Sequence, residues 1–358
     1  MTPSLHVKSR TLARLPRGYS ITVLPKLIPG DGLPSFVAGS EGDDALVLFE
    51  APDFRPKVIA REPGGYISTC PVVREGRRFL VASTQFKPGF DAASARMWLY
   101  PLDGNEPSAP SLMAVLPYTH RVITLTRGGR DFVLASTLCA AKASKEDWTQ
   151  PGGVFLAEAP DDLRQPWSFR PIIPGLNKNH GMEVARLDRE GREGYLLSAM
   201  EGLFFTPIPA DPMGAWTTEP IATGEYSDAC AFDWNRDGIP EIFSISPFHG
   251  NVLSLHRSTA SGWEREVIHQ DLSFGHIVWA GDLLGGPALL AGSRRDRREL
   301  RLYRPSPDGG VDREYTVIDT EIGPSQIAVI PRGPHEAFLY VAAHGLEEVR
   351  LYELTSLP

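Results

Sequence analysis

One phrase recurs along the chain, a short apolar run that ends in small residues. It reads FVAGSEG at 36–42, FLVASTQ at 79–85, FVLASTL at 132–138, YLLSAME at 195–201, IFSISPF at 242–248, LLAGSRR at 289–295 and FLYVAAHG at 338–345. The leading residues, Phe36, Phe79, Phe132, Tyr195, Ile242, Leu289 and Phe338, are separated by 43, 53, 63, 47, 47 and 49 positions. A period of roughly 40–50 residues with only strand signals inside it is the pattern of a propeller blade, and seven copies imply seven blades. A run with apolar/polar alternation follows each phrase, as in RMWLYPL, GVFLAEAP and VRLYEL, and supplies a third strand. A fourth strand comes next and often opens on an aromatic residue, as in WSFRPIIP, WTTEPIAT and WEREVIHQ.

The last copy stops after its third strand at Leu354, and LHVKSRTLARL at 5–15 offers the missing one. The expected architecture is therefore all-β: one domain over 1–358, a seven-bladed β-propeller of four-stranded antiparallel blades. The blades fall at about 18–62, 66–117, 118–175, 180–223, 227–270, 275–319 and 324–354, the last completed by strand 5–15. Closing the ring with the N-terminal strand is expected to leave no sheet edge open.

Composition narrows the partners. The net charge of −8 speaks against nucleic acid, which needs a basic face to displace phosphate counterions. No apolar run approaches the ~20 residues that cross a bilayer, so no membrane partner is expected. The first twenty residues lack the apolar core of a secretory signal, so a cytoplasmic location is expected. Cys70, Cys139 and Cys230 are odd in number, sit in apolar strand contexts and show no metal-ligand spacing, so they read as buried free thiols.

The loop DWNRDGIPE at 233–241 sets Asp233, Asn235 and Asp237 on alternate residues, then Gly238, the carbonyl of Ile239, and Glu241. Oxygen ligands folded about a glycine suit Ca²⁺, although the spacing is not that of an EF-hand. The stretch resembles the calcium loop of FG-GAP/VCBS-type propeller repeats. RLDREGREGYLL (186–197) and AGDLLGGPALL (280–290) are eroded versions of it. The loop joins the first and second strands of a blade, and its reading without an ion is an acidic turn.

In a four-stranded blade, the turn entering the innermost strand and the turn leaving the second strand share one rim. His120 (PYTHRVI), His180 (KNHGMEV) and His276 (SFGHIVW) precede or open innermost strands, with Asp228 (YSDACAF) at the corresponding place in blade five. His249 (SPFHGN) and His344 (VAAHGL) leave second strands, as do Glu201 and Arg294. Five of nine histidines thus come to one rim from five blades, while His6, His256, His269 and His335 fall elsewhere. The long loop 139–153 brings Lys142, Lys145 and Trp148 to the same side as a candidate binding element.

A ring of neutral imidazoles suits a divalent transition metal, Zn²⁺, Mn²⁺ or Fe²⁺. Such a centre polarises a carbonyl or hydroxyl while a nearby group moves a proton. PYTHRV, the Lys/Trp loop, KNHG and FGH together resemble the propeller part of aldos-2-ulose dehydratases and their bacterial VCBS-like relatives over residues 60–300. That resemblance implies metal-assisted dehydration and isomerisation of keto sugars such as 1,5-anhydrofructose. It assigns His120, His180 and His276 as metal ligands or acid/base groups. Glu201, His249 and His344 are further catalytic candidates, and Arg294, Lys142, Trp148, Asp228 and Arg121 are candidates for holding substrate. The chain has no room for the additional C-terminal domains of the fungal enzyme, so a homodimer is left open. Three other readings also stand: a non-catalytic carbohydrate- or protein-binding propeller, a lactonase-like hydrolase, and a cyclase with an apolar pocket.

Overall fold

The computed structural model describes residues 5–103 and 109–356; the remaining positions of the expected span 1–358 lie outside the described residues. Twenty-seven strands and the N-terminal strand Leu5–Arg14 form seven four-stranded sheets, the blades of a β-propeller. The innermost strands begin at Gly18, Ser68, Thr119, Gly181, Asp228, Gly275 and Pro324. In the seventh blade, Leu5–Arg14 lies outside the third strand Glu348–Ser356. No described helix is long and apolar enough to cross a membrane.

The recurring phrase is the second strand of each blade, and burial on both faces explains its sequence. Phe36–Ser40 and Glu241–Ser246 are buried at every position, so they read as unbroken apolar runs rather than alternating ones. The small polar residues near these buried strands tie blades together. Ser20 Oγ donates to the Tyr66 carbonyl at 3.0 Å, Ser83 Oγ to the Thr119 carbonyl at 3.0 Å, and Ser136 Oγ to the Asn179 carbonyl at 3.2 Å. In each case the acceptor sits where the next innermost strand is about to start. A larger residue at these points would push that start outward.

The chain divides into two compact units. One holds blades one to three (residues 12–179, with 347–349), and the other holds blades four to seven. Within each, the apolar clusters lie between neighbouring blades. In the four-blade unit, Phe243, Ile245 and Leu255 of blade five pack with Leu289, Ala291 and Tyr303 of blade six. In the three-blade unit, Val81 and Met97 of blade two pack with Val133 and Ala135 of blade three. Burial at roughly 25 cal/mol per Å² makes these interfaces the main stabilising element.

Two expectations need correction. The N-terminal strand supplies the missing fourth strand but is itself an exposed outer edge, because each blade ends in one. Lys8, Arg10 and Arg14 project from it, and such charges deter pairing with another edge. The aromatics thought to open outer strands mostly precede them. Trp167 and Trp216 lie before Arg170–Leu176 and Glu219–Thr223, donating Nε1–H to the Leu163 and Pro212 carbonyls, so they close turns.

His256, on the third strand of blade five, is fully buried with its Nε2 2.8 Å from Ser244 Oγ. Burial, aided by the charge of Arg265, lowers its pKa from 6.5 to about 4. Between those pH values the unfolded chain takes up the proton and the folded one does not. The stabilising contribution is therefore complete above pH 6.5, falls with acidification, and is gone below about 4. Thermal unfolding followed from pH 7 to 4 should show a loss of about 3 kcal/mol from this group, and that part of the slope should vanish in His256→Gln.

Candidate metal centre

Two backbone devices recur where chains enter innermost strands. Tyr118 and Phe274 both take a left-handed φ of 59° one residue before the strand begins, and Arg17 takes 51° in the same place. Two residues later, Tyr19, His120 and His276 are the extra residues of β-bulges. The pairing steps from Gly18 to Ser20, from Thr119 to Arg121 and from Gly275 to Ile277. A bulge re-aims one side chain without disturbing the rest of the ladder. His180 arrives without one, immediately before Gly181, its N–H donating to the Ser198 carbonyl at 3.1 Å.

Among the described residues, one group of three or more His, Cys, Asp or Glu brings its ligand atoms within 4.8 Å of one another: His180, His249 and His276. They come from blades four, five and six of the same unit. His180 and His276 are buried and His249 is half-buried. His249 comes from the turn that leaves the second strand of blade five, at a left-handed φ of 49°. Phe248 and Phe274 flank it, stacked on its ring at centroid distances of 4.1 and 4.2 Å. His180 meets His249 and His276 edge-on, at 4.7 and 5.2 Å.

The hydrogen bonds settle the tautomer of His180. Its Nδ1 lies 3.0 Å from the Ser227 carbonyl, which can only accept, so Nδ1 carries the proton. The Nε2 lone pair then faces His249 Nε2 at 3.1 Å. A backbone carbonyl on the far nitrogen is the usual second partner of a metal-bound imidazole. The edge of a tetrahedron with metal–nitrogen bonds of ~2.0–2.1 Å is roughly 3.3 Å, so the 3.1 Å separation requires little adjustment to hold Zn²⁺.

The other candidates are distributed around the two units. His120 belongs to the three-blade unit, where its Nε2 lies 3.3 Å from the Tyr19 hydroxyl and its ring meets Phe86 edge-on. It therefore stands outside the three-histidine group, and His249 takes the place expected for it. Sequence spacing treated all rim positions as equivalent, whereas short imidazoles converge only from consecutive blades. His344 is half-buried in a single 3₁₀ turn, and Glu201 is exposed between the second and third strands of blade four. Asp228, half-buried, accepts the Ala229 N–H at 3.0 Å. Arg121 follows the bulged His120 and is half-buried. Arg294 stacks over Phe274 at 5.5 Å.

Lys142 and Trp148 meet in the long loop, with Nζ 3.1 Å from the indole ring centre. Burial lowers the Lys142 pKa, and Lys178 adds to the shift. The loop itself is built around Asp147, which accepts from the Ala143 and Thr149 N–H groups and the Thr149 hydroxyl. In the 233–241 loop, Glu241 is buried and accepts from the Trp234 N–H and Asn235 Nδ2, Asp233 accepts from the Gly238 N–H, and Asp237 from the Ile239 N–H. Most of the acceptors expected to face Ca²⁺ thus hold the turn itself, while Asp233 Oδ1 is buried without a hydrogen-bond partner. Cys70, Cys139 and Cys230 are buried free thiols.

Sequence reasoning missed Ser227, Phe248, Phe274 and Tyr19. Aligning RGY, YTH and FGH on their shared turn would have found Tyr19 and Phe274. Nothing in the sequence marks Ser227, whose backbone carbonyl is the part that matters.

No protein-family model matches the chain, and no curated protein matches it in sequence. Solved structures do match in shape. An ancestral GH74 enzyme superposes with a TM-score of 0.60 at 14% identity, covering 96% of this chain. The chain spans about half of that enzyme, 48% of its length. A candidate 6-phosphogluconolactonase from Bacteroides fragilis gives 0.54 at 12% identity, covering 86% of this chain and 87% of its own. YCF48 bound to D1 peptide gives 0.52 at 12% identity, covering 98% and 95%. At these identities the likeness establishes the propeller fold.

Gly181, beside His180, has no room for a side chain. An added Cβ would lie 2.7 Å from Asp228 Oδ1 and 3.0 Å from both Asp228 Cα and Ser198 Cβ. Gly181→Ala should therefore cost about 1–3 kcal/mol in thermal or urea unfolding.

Proposed function

We propose that the chain is a metal-dependent enzyme acting on a keto sugar or a related polar carbonyl compound, as a dehydratase or isomerase. The observation that carries this reading is the convergence of three imidazoles on one point, with His180 held by the Ser227 carbonyl in the tautomer that presents Nε2. His180, His249 and His276 would hold Zn²⁺, Mn²⁺ or Fe²⁺. A bound ion of this kind supplies Lewis acidity toward a carbonyl or hydroxyl oxygen. The resemblance to aldos-2-ulose dehydratases supports the reaction class. The GH74 and 6-phosphogluconolactonase neighbours support a carbohydrate-related substrate, and they bear on the fold more strongly than on the chemistry.

With three histidines occupied as ligands, proton transfer passes to a carboxylate. We assign this role to Asp228, whose Oδ1 lies 2.7 Å from where a Cβ on Gly181, next to His180, would sit. In a dehydration, Asp228 takes the proton from the carbon beside the carbonyl. The pair of electrons left behind forms the new C=C bond as the β-hydroxyl takes that proton back from Asp228 and leaves as water. No oxidant or reductant is needed. Phe248 and Phe274 shield the histidines, lowering the local dielectric and strengthening each polar contact. A calcium ion in the 233–241 loop, bound by Asp233, Asn235, Asp237, the Ile239 carbonyl and Glu241, would be structural, and would have to displace the internal hydrogen bonds of that turn.

Elemental analysis of the purified protein is expected to find about one transition metal per chain. His180→Ala should lose it and His120→Ala should keep it. Equal retention in both variants, or no transition metal after reconstitution, would remove the metal-centred reading in favour of a binding propeller. With metal loaded, neutral and acidic keto sugars should be screened for a rise in enone absorbance, which Asp228→Asn should reduce by at least about 100-fold.

A further inference from the structure

Three polar side chains on turns of the three-blade unit carry buried atoms with no hydrogen-bond partner among the described residues. They are Gln85 at Oε1, Lys142 at Nζ, and Asn179 at both Oδ1 and Nδ2. Asn179 is wholly buried, so its carboxamide is unsatisfied whichever way it is flipped. Gln85 and Lys142 follow the second strands of blades two and three, Arg77–Thr84 and Arg130–Thr137, and Asn179 ends the turn after the outer strand Arg170–Leu176. All three belong to residues 12–179, whereas His180, His249 and His276 belong to the other unit.

The long loop 139–153 connects these turns through Trp148. Lys142 Nζ lies 3.1 Å from the centre of the indole, and Nζ of Lys178, the residue before Asn179, lies 5.4 Å from it. The Phe90 ring, in the turn that begins at Gln85, meets the indole edge-on at 5.7 Å. One side chain thus touches the turns of all three polar groups. The rest of the loop is held at its base, where Ala141 pairs with Gln150, and Ala143, Ser144, Lys145 and Glu146 face solvent. A long loop that closes over polar groups through one aromatic contact has the build of a lid.

A buried carboxamide without partners is unfavourable, and a ligand that both donates and accepts hydrogen bonds removes that imbalance. Gln85 Oε1 needs a donor, Lys142 Nζ an acceptor, and Asn179 one of each; hydroxyl groups serve as both. Asp147 and Glu146 act on Lys142 against the charge of Lys178, so the set does not call for an anion. We infer that the three-blade unit holds a second ligand site, for a neutral polyhydroxylated compound such as a sugar, and that loop 139–153 is the lid over it. Opening at Trp148 exposes Gln85, Lys142 and Asn179 to the ligand, and closure then buries their new hydrogen bonds. The site uses none of the three histidines and needs no metal.

Saturation-transfer difference NMR on the chelator-treated full chain, with glucose and cellobiose as probes, tests this. At least one sugar should give signals that saturate and that excess inorganic phosphate does not displace. Lys142→Met should weaken binding at least about 5-fold, while Lys145→Met, on the exposed part of the same loop, should leave it within about 2-fold. Asn179→Leu should weaken binding at least about 10-fold and unfold at or above the wild-type temperature, because it replaces an unpaired buried amide by an apolar group of similar size. Amide hydrogen exchange over 141–150 should slow when the sugar is added. No saturable binding of either sugar, displacement by phosphate, or equal effects of the two lysine variants would overturn the inference. A lowered unfolding temperature for Asn179→Leu would contradict the place of its amide in the site, and unchanged exchange over 141–150 would contradict the lid.

Discussion

The second strand of each blade, buried on both faces, is the constraint on which the rest of the molecule depends. It fills the space between neighbouring blades, so its side chains must be apolar along the strand and small where the next blade begins. Ser83 and Ser136 show the consequence in the three-blade unit, each hydroxyl spanning to a carbonyl at the start of the next innermost strand, and Ser20, on the innermost strand of blade one, makes the same kind of bond. The position of that start is thus set by a hydrogen bond of about 3 Å between blades, with a net worth of about 1 kcal/mol each. The functional candidates are attached to these starts. A histidine one or two residues along inherits a backbone position defined by the packing behind it.

The same constraint explains what was legible in the sequence. Doubly buried strands are unbroken apolar runs, and seven of them spaced by one blade length revealed the architecture, including the role of 5–15 as the fourth strand of the last blade. The rim assignment followed from strand polarity alone, and it gathered His180, His249 and His276 among five candidates. Choosing the three from the five required knowing which blades are neighbours and how far an imidazole reaches. His120 and His276 share the same left-handed turn and bulge, yet their surroundings differ: Tyr19 and Phe86 around one, two histidines and Phe274 around the other. Bulges and left-handed φ values at residues such as Phe274 and His249 leave no composition signal, because neither residue type is chosen for its backbone preference.

Charge completes the description. The chain is acidic overall, yet one turn beside the histidines is rich in arginine, and Phe274 physically connects the two. The acidic 233–241 turn commits Asp233 Oδ2, Asp237 Oδ1 and Glu241 Oε2 to its own backbone, while Asp233 Oδ1 is buried without a hydrogen-bond partner. A motif's residue types therefore indicate chemistry less reliably than the hydrogen bonds its atoms have left to make. For His180 that accounting is favourable: one nitrogen is committed to Ser227, and the other points to the centre.

The central claim is that His180, His249 and His276 form one metal site. X-ray absorption at the zinc K-edge of the reconstituted protein tests it most directly. The account predicts a first shell containing three nitrogen scatterers at ~2.0–2.1 Å, with the outer-shell pattern of imidazole rings. A first shell of oxygen alone, without imidazole scattering, would contradict it.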